Sequence, residues 1–224
     1  IFMDQKAEPQ KWPYYYEVIA HDSCQQGVAS GMAKTIHLEA TPAPEFVNQL
    51  RWTEYEITYG TVKSYSIYRN DGTSWSLLAT VSPNVLSYDD IIADQLTSSG
   101  GFCYRIDADV ELNLPDGQML QRTSSSNVGC AAQFPVIFVP TAFAPEGTNN
   151  FFKPVITFAV PDNYHMMVFN RWGQKIFETT DIDEAWNGQF EGSIVPQGVY
   201  TYIIRVEGEN GSLNEEKGTV MVLR

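Results

Sequence analysis

The 224-residue chain carries 27 acidic against 14 basic side chains, a net charge of −13, so it repels a phosphate backbone and nucleic acid is excluded as a partner. Its length suits two ordinary domains, and 43% hydrophobic with 13% aromatic residues is the make-up of a packed chain rather than a disordered one. The longest apolar runs, such as Pro135 to Pro145, are too short to cross a bilayer and are broken by proline. The start lacks the pattern of a signal peptide, so the sequence reads as a mature fragment whose export signals lie elsewhere.

Short alternating runs of Val, Ile, Tyr, Phe and Thr, punctuated by Gly, Pro, Asn and Asp, recur along the chain and predict strands almost throughout. No stretch holds a helical period over three turns, and Ile91 to Leu96 has room for a single helical turn. The fold class is all-β, built as tandem immunoglobulin-like sandwiches. Tyr14 to Ala20 is matched in residue type by Phe102 to Ala108, 88 positions later, a spacing close to one sandwich domain. In each copy alternate bulky residues (Tyr14, Tyr16, Val18; Phe102, Tyr104, Ile106) are expected to point inward. A closing strand is expected after each, over Ala33 to Leu38 and over Ser125 to Ala131. Residues 1–38 then read as the last strands of a truncated upstream sandwich, and residues 39–134 as a complete one.

The second sandwich resembles the fibronectin type III fold. Leu50-Arg51-Trp52 would be its second strand, with Trp52 in the core, and Val62 to Arg69 its third. Asn70-Asp71-Gly72 has hairpin-turn chemistry, Trp75 to Val81 continues the meander, and Ser87-Tyr88-Asp89-Asp90 sits where the family turns toward its sixth strand. Phe102 stands where the family's tyrosine corner would supply a hydroxyl, although Tyr14 keeps it in the first copy. In such a sandwich Cys103 and Cys130 lie on neighbouring strands, and a bridge would contribute about 3–4 kcal/mol in the chain-entropy model. It would require an oxidising, extracytoplasmic location. The alternatives, metal binding and nucleophilic catalysis, find no Cys-x-x-Cys and no His cluster. Cys24 is left over, its partner unassigned.

From Pro135 onward, signature segments follow one another: Val139-Pro140-Thr141-Ala142-Phe143-Ala144-Pro145, Phe169-Asn170-Arg171-Trp172-Gly173, Trp186-Asn187-Gly188, Val195 to Tyr202, and Lys217 to Arg224. In order, spacing and terminal position, residues 135–224 resemble the gliding-motility-associated C-terminal domain, the type B sorting domain of the type IX secretion system of Bacteroidetes. The residues themselves read mainly as architecture. Tyr164 to Phe169 and Gln174 to Thr179 form a hairpin around a turn in which Gly173 takes positive φ. Asn187-Gly188 turns the chain so that Trp186 faces the core. Pro196-Gln197-Gly198 launches a strand with Tyr200, Tyr202, Ile204 and Val206 on one face, and Thr219 to Arg224 is the last strand. Trp52, Trp186, Gly198 and Tyr200 are thus the fold-defining positions.

The resemblance implies a module carried through an outer-membrane translocon, then handed to a PorP/SprF-type outer-membrane protein, in a secreted, cell-surface chain. The candidate recognition residues are Asn170, Arg171, Trp172, Gly173, Lys217, Gly218 and Arg224, with strand addition at the terminal strand as a candidate mode; pairing of Arg171 with a carboxylate is the plain alternative. The middle sandwich is expected to be a spacer, or else an adhesive or glycan-binding module using Trp75 or Tyr59. The Glu146 to Asn150 loop, with one carboxylate, is too poor in charge for calcium, and Asp181 to Glu184 reads as a solvated loop. No metal, cofactor or catalytic residue is assigned: His21, His37 and His165 are scattered, and the sequence has no phosphate loop and no zinc-protease motif.

Overall fold

The structure, a computed structural model, describes residues 4–114 and 117–224. The chain divides into two compact units, Ile1–Ile92 with Phe102–Ala131, and Ala93–Gly101 with Ala132–Arg224.

In the first unit the strands are β1 (Tyr15–His21), β2 (Gly27–Lys34), β3 (Leu38–Ala43), β4 (Val47–Trp52), β5 (Glu56–Ile57) and β6 (Gly60–Asn70). They continue as β7 (Trp75–Val81), β8 (Ser87–Ile91), β9 (Gly101–Asn113), β10 (Met119–Ser125) and β11 (Gly129–Ala132). A three-stranded sheet β3-β4-β8 and a sheet of order β10-β9-β6-β7, with β11 also on β9, supply the two layers of a fibronectin-type-III-like sandwich. Leu38, Leu50 and Trp52 of the first sheet and Tyr65, Ile67, Phe102, Tyr104 and Ile106 of the second are buried. The period-two pattern of β9 delivers this core, because every second residue from Phe102 to Val110 is buried. The Trp52 and Tyr65 rings meet edge to face at 5.8 Å.

One buried polar group ties the two sheets together. Arg69 Nη1 donates to both Asp90 oxygens at 3.2 and 3.0 Å, Tyr104 Oη donates to Asp90 Oδ2 at 2.9 Å, and Asn48 Nδ2 donates to Tyr104 Oη at 2.7 Å. Burial and the Asp90 charge push the Tyr104 phenol well above its ordinary pKa, which keeps it a neutral donor. Cys103 and Cys130 form a disulfide; Cys24 is free and exposed.

Several expectations are corrected here. Ser87 to Asp90 is not a turn but most of β8, paired in register with β4, because Asp90 finds its charge partners only if carried inward on a strand. Ile91 to Leu96 holds turns and no helix; among the described residues the helical element is a 3-10 turn at Pro161–Asn163. The strand expected over 33–38 is divided between β2 and β3, and that over 125–131 between β10 and β11. The inward face expected for the first copy is not formed: Tyr16 is 36% and Val18 68% exposed, and every residue of β1 is exposed. Hairpin β1-β2 joins β5 in a three-stranded sheet in which β1 is exposed along its length, whereas the same pattern in β9 meets β3-β4-β8.

The second unit contains β12 (Val136–Phe138), β13 (Ala142–Phe143), β14 (Val155–Thr157), β15 (Tyr164–Phe169) and β16 (Lys175–Thr179). Then come β17 (Gln189–Phe190), β18 (Ser193–Ile194), β19 (Gly198–Glu207) and β20 (Leu213–Val222). The main sheet runs β13-β20-β19-β15-β16, accompanied by the β12-β14 and β17-β18 pairs. Its inner face carries Tyr164, Met166, Val168, Tyr200, Tyr202, Ile204, Val220 and Val222, packed with Phe143, Phe152 and Trp186. The last strand starts earlier and stops sooner than Thr219 to Arg224. Its far end is also covered: β13 pairs with it in parallel at Met221 and Val222, and Leu223 N–H donates to the Phe143 carbonyl at 2.8 Å.

Candidate functional site

The turn between β15 and β16 is built by one side chain. Asn170 Oδ1 accepts from the backbone N–H groups of Trp172 and Gln174, both at 3.0 Å, and Asn170 Nδ2 donates to Gln174 Oε1 at 2.9 Å. Gly173 N–H donates to the Asn170 carbonyl at 2.9 Å, and Gly173 has φ 80°, the left-handed geometry that glycine adopts without a Cβ penalty. With asparagine and glycine closing the loop, Arg171 and Trp172 are left on its outside. Trp172 is 75% exposed, and the Arg171 guanidinium lies 4.2 Å from its ring centroid, a cation–π contact.

Facing this turn is the segment that enters β19. Tyr200 Oη donates to the Pro196 carbonyl at 2.8 Å, folding Val195 to Gly198 into a fixed wall. Behind it, the Tyr200 ring packs 5.4 Å from Trp186. Trp186 is fully buried, lies 5.3 Å from Phe143, and donates from Nε1 to the Gln189 carbonyl at 3.0 Å. Between turn and wall runs a groove of about 520 Å³ whose apolar surface comes from Ile176, Phe190, Val195 and Tyr200, with Arg171 the charged residue of its lining. Burial raises the Tyr200 phenol while the nearby Arg171 charge opposes the shift.

The structure separates the sequence-derived candidates. Asn170, Arg171 and Trp172 form one wall of the groove, and Gly198 with Tyr200 the other; Gly173 closes the turn that carries the first wall. Gly198 is opposite Val222 in the β19-β20 ladder, two residues before the exposed Arg224, and a Cβ there would meet nothing within 4 Å. Lys217 lies further along β20, opposite Ile203, and pairs with Glu215 at 2.6 Å. Gly218 is opposite Tyr202, and a Cβ there would sit 2.4 Å from Tyr202 Oη, so a steric requirement accounts for it. Arg171 makes no ion pair among the described residues. The wall residues Val195 and Pro196 fall in a signature segment that reads only as a turn and strand start, and the floor residues Ile176 and Phe190 fall outside every signature because their spacing signals only strand and turn. Elsewhere, Asp183 pairs with Lys153 at 3.0 Å, Trp75 and Tyr68 flank the Arg105 guanidinium at 5.1 and 5.0 Å, and the exposed Tyr59 lies against Gly31. Among the described residues, no group of three His, Cys, Asp or Glu side chains is placed to hold a metal ion.

Residues 137–222 match the family model CHU_C, the type IX secretion signal domain. Over these residues the terminal unit carries a type IX secretion signal domain, which implies export, retention at the cell surface and engagement of the secretion machinery. No curated protein matches the sequence. Among solved structures, pectate lyase Pel3 from Pectobacterium carotovorum aligns at 13% identity over 50% of this chain and 34% of its own, with a TM-score of 0.33. The tetra-tandem repeat from the extending region of a large adhesion protein aligns at 13% identity over 94% of this chain and 56% of its own, TM-score 0.41. The fibronectin(III)-like modules of Clostridium thermocellum CbhA align at 11% identity, 84% and 94% coverage, TM-score 0.31. This chain thus spans less than two thirds of the first two.

Proposed function

We propose that this chain is the delivery end of a cell-surface protein. The sorting domain, residues 135–224, is carried through the type IX translocon and retained by a PorP/SprF-type outer-membrane protein. Residues 39–134 act as a spacer ahead of it. The observation supporting this reading is the family match over 137–222, on a unit whose signature turns converge beside the β19 entry. Recognition by strand addition has a candidate edge in the Leu213 to Thr219 stretch of β20, which pairs only with β19 among the described residues.

The test is export of a neutral passenger fused ahead of the full chain, in a host with type IX secretion. The expected result is passenger on the cell surface with the full chain, and retention inside when the chain is cut after Gln133. Equal export of both fusions would remove the proposal. A second reading, glycan adhesion by the middle sandwich, is favoured by one observation: Trp75 and Tyr68 share an outer face around Arg105. Binding of oligosaccharides that disappears in Trp75→Ala would support it, and undiminished binding would refute it.

A further inference from the structure

The groove between the Asn170 turn and the Val195 to Gly198 wall has an asymmetry that identifies its occupant. Its floor is apolar, its lip carries an exposed tryptophan, and the charge in its lining is the Arg171 guanidinium. In a chain of net charge −13, that is a local cation without a carboxylate partner among the described residues. A guanidinium stacked on an indole keeps its N–H edge free for a carboxylate, which it binds with two donors in a fixed fork.

The groups a sugar would need are mostly engaged. Both ends of the Asn170 amide serve the turn, the Tyr200 hydroxyl is committed to the Pro196 carbonyl, and no carboxylate lines the groove. A peptide needs less: one apolar side chain for the floor and one acid for the lip.

We infer that this groove docks an extended acidic segment of a partner protein, presenting an aromatic or aliphatic side chain to Ile176, Val195 and Tyr200 and a carboxylate to Arg171. This rests on the sorting reading for the partner's identity, the outer-membrane machinery, but not for its chemistry. Trp172 then acts as a flap over the apolar residue, and the charge pair sets selectivity between acidic and neutral segments. A partly exposed ion pair of this kind is worth about 0.5–1 kcal/mol, which is about a twofold to fivefold preference.

The experiment titrates the full chain with acetyl-Thr-Phe-Thr-Glu-amide and with its Gln counterpart, following by NMR the Trp172 indole N–H and, in every variant including the one that lacks this indole, the backbone amide of Gly198 in the opposite wall. The expected result is a saturable shift with both, the acidic peptide binding about two to five times tighter. In Arg171→Gln the ratio falls to about one, and in Trp172→Ala neither peptide binds measurably. Absence of a saturable shift, equal affinities in the wild type, or tighter binding of a neutral oligosaccharide at the same indole would each overturn the proposal. Export of the passenger fusion separates the two readings. Peptide selectivity without export removes the sorting role and leaves the groove's chemistry standing, whereas export without selectivity removes the groove proposal alone.

Discussion

Gly218→Ala is the sharpest test of the terminal fold, because Gly218 is a candidate for recognition and for sterics at once. It is opposite Tyr202 in the β19-β20 ladder, and a methyl group there would lie 2.4 Å from Tyr202 Oη, 2.7 Å from Cζ and 3.2 Å from Cε1. The ring is buried and packs 5.6 Å from Phe152, so it cannot simply swing into solvent. Displacement by about an ångström inside a packed core costs about 1–3 kcal/mol. For a unit of roughly 100 residues each kcal/mol moves the melting midpoint by about 4–8 °C, so a drop of between about 4 and about 24 °C is expected. Thermal melts followed by near-ultraviolet circular dichroism should show this in the transition of the terminal unit. Tyr202→Phe removes the nearest atom, so adding Gly218→Ala in that background should cost visibly less. A Gly218→Ala chain as stable as the wild type, or an identical cost in both backgrounds, would show that the glycine is not there to accommodate the phenol. If sterics are its whole role, loss of export in this variant follows the loss of stability.

In the first unit, Asp90→Ala strands the half-buried Arg69 charge and the Tyr104 and Asn48 groups, and should destabilise by about 3–5 kcal/mol in a urea titration, with Arg69→Met/Asp90→Leu much milder. Reducing the Cys103–Cys130 bridge, or Cys103→Ser/Cys130→Ser, should lower the stability of that unit by about 3–4 kcal/mol and leave the terminal unit's transition unchanged. Acid should weaken both units. Lys175 and His165 hold Glu178 below its ordinary carboxyl range, Lys217 and Arg205 do so for Glu215, and Lys34 does so for Glu56. Depressed carboxyl pKa values stabilise the fold above the unfolded value of 4.5 and lose that contribution as pH falls through the folded value. Melting midpoints should therefore decline below about pH 4.5, and Glu215→Gln should flatten the decline in the terminal unit; a slope unchanged by that substitution would contradict the assignment.

What was legible from the sequence is what local chemistry dictates. Asn70-Asp71-Gly72 and Asn170 to Gly173 need a side-chain acceptor and a positive φ, and few residues provide both, so the turns and the strands leaving them could be placed from residue identity. Alternation in Phe102 to Val110 and in Tyr200 to Val206 specified which residues share a face, because a pleated strand has a period of two. Whether a face is covered is another matter. Tyr16 and Val18 repeat the pattern of Tyr104 and Ile106, yet lie exposed, since burial depends on a sheet supplied by distant residues. The same reason governs the end of β20: Ala142 and Phe143 close it from far along the chain, a pairing that no local pattern encodes. Asp90 reads as a turn residue until Arg69 and Tyr104 are brought beside it, and the groove beside Trp172 exists only once two turns distant in sequence are set on neighbouring strands.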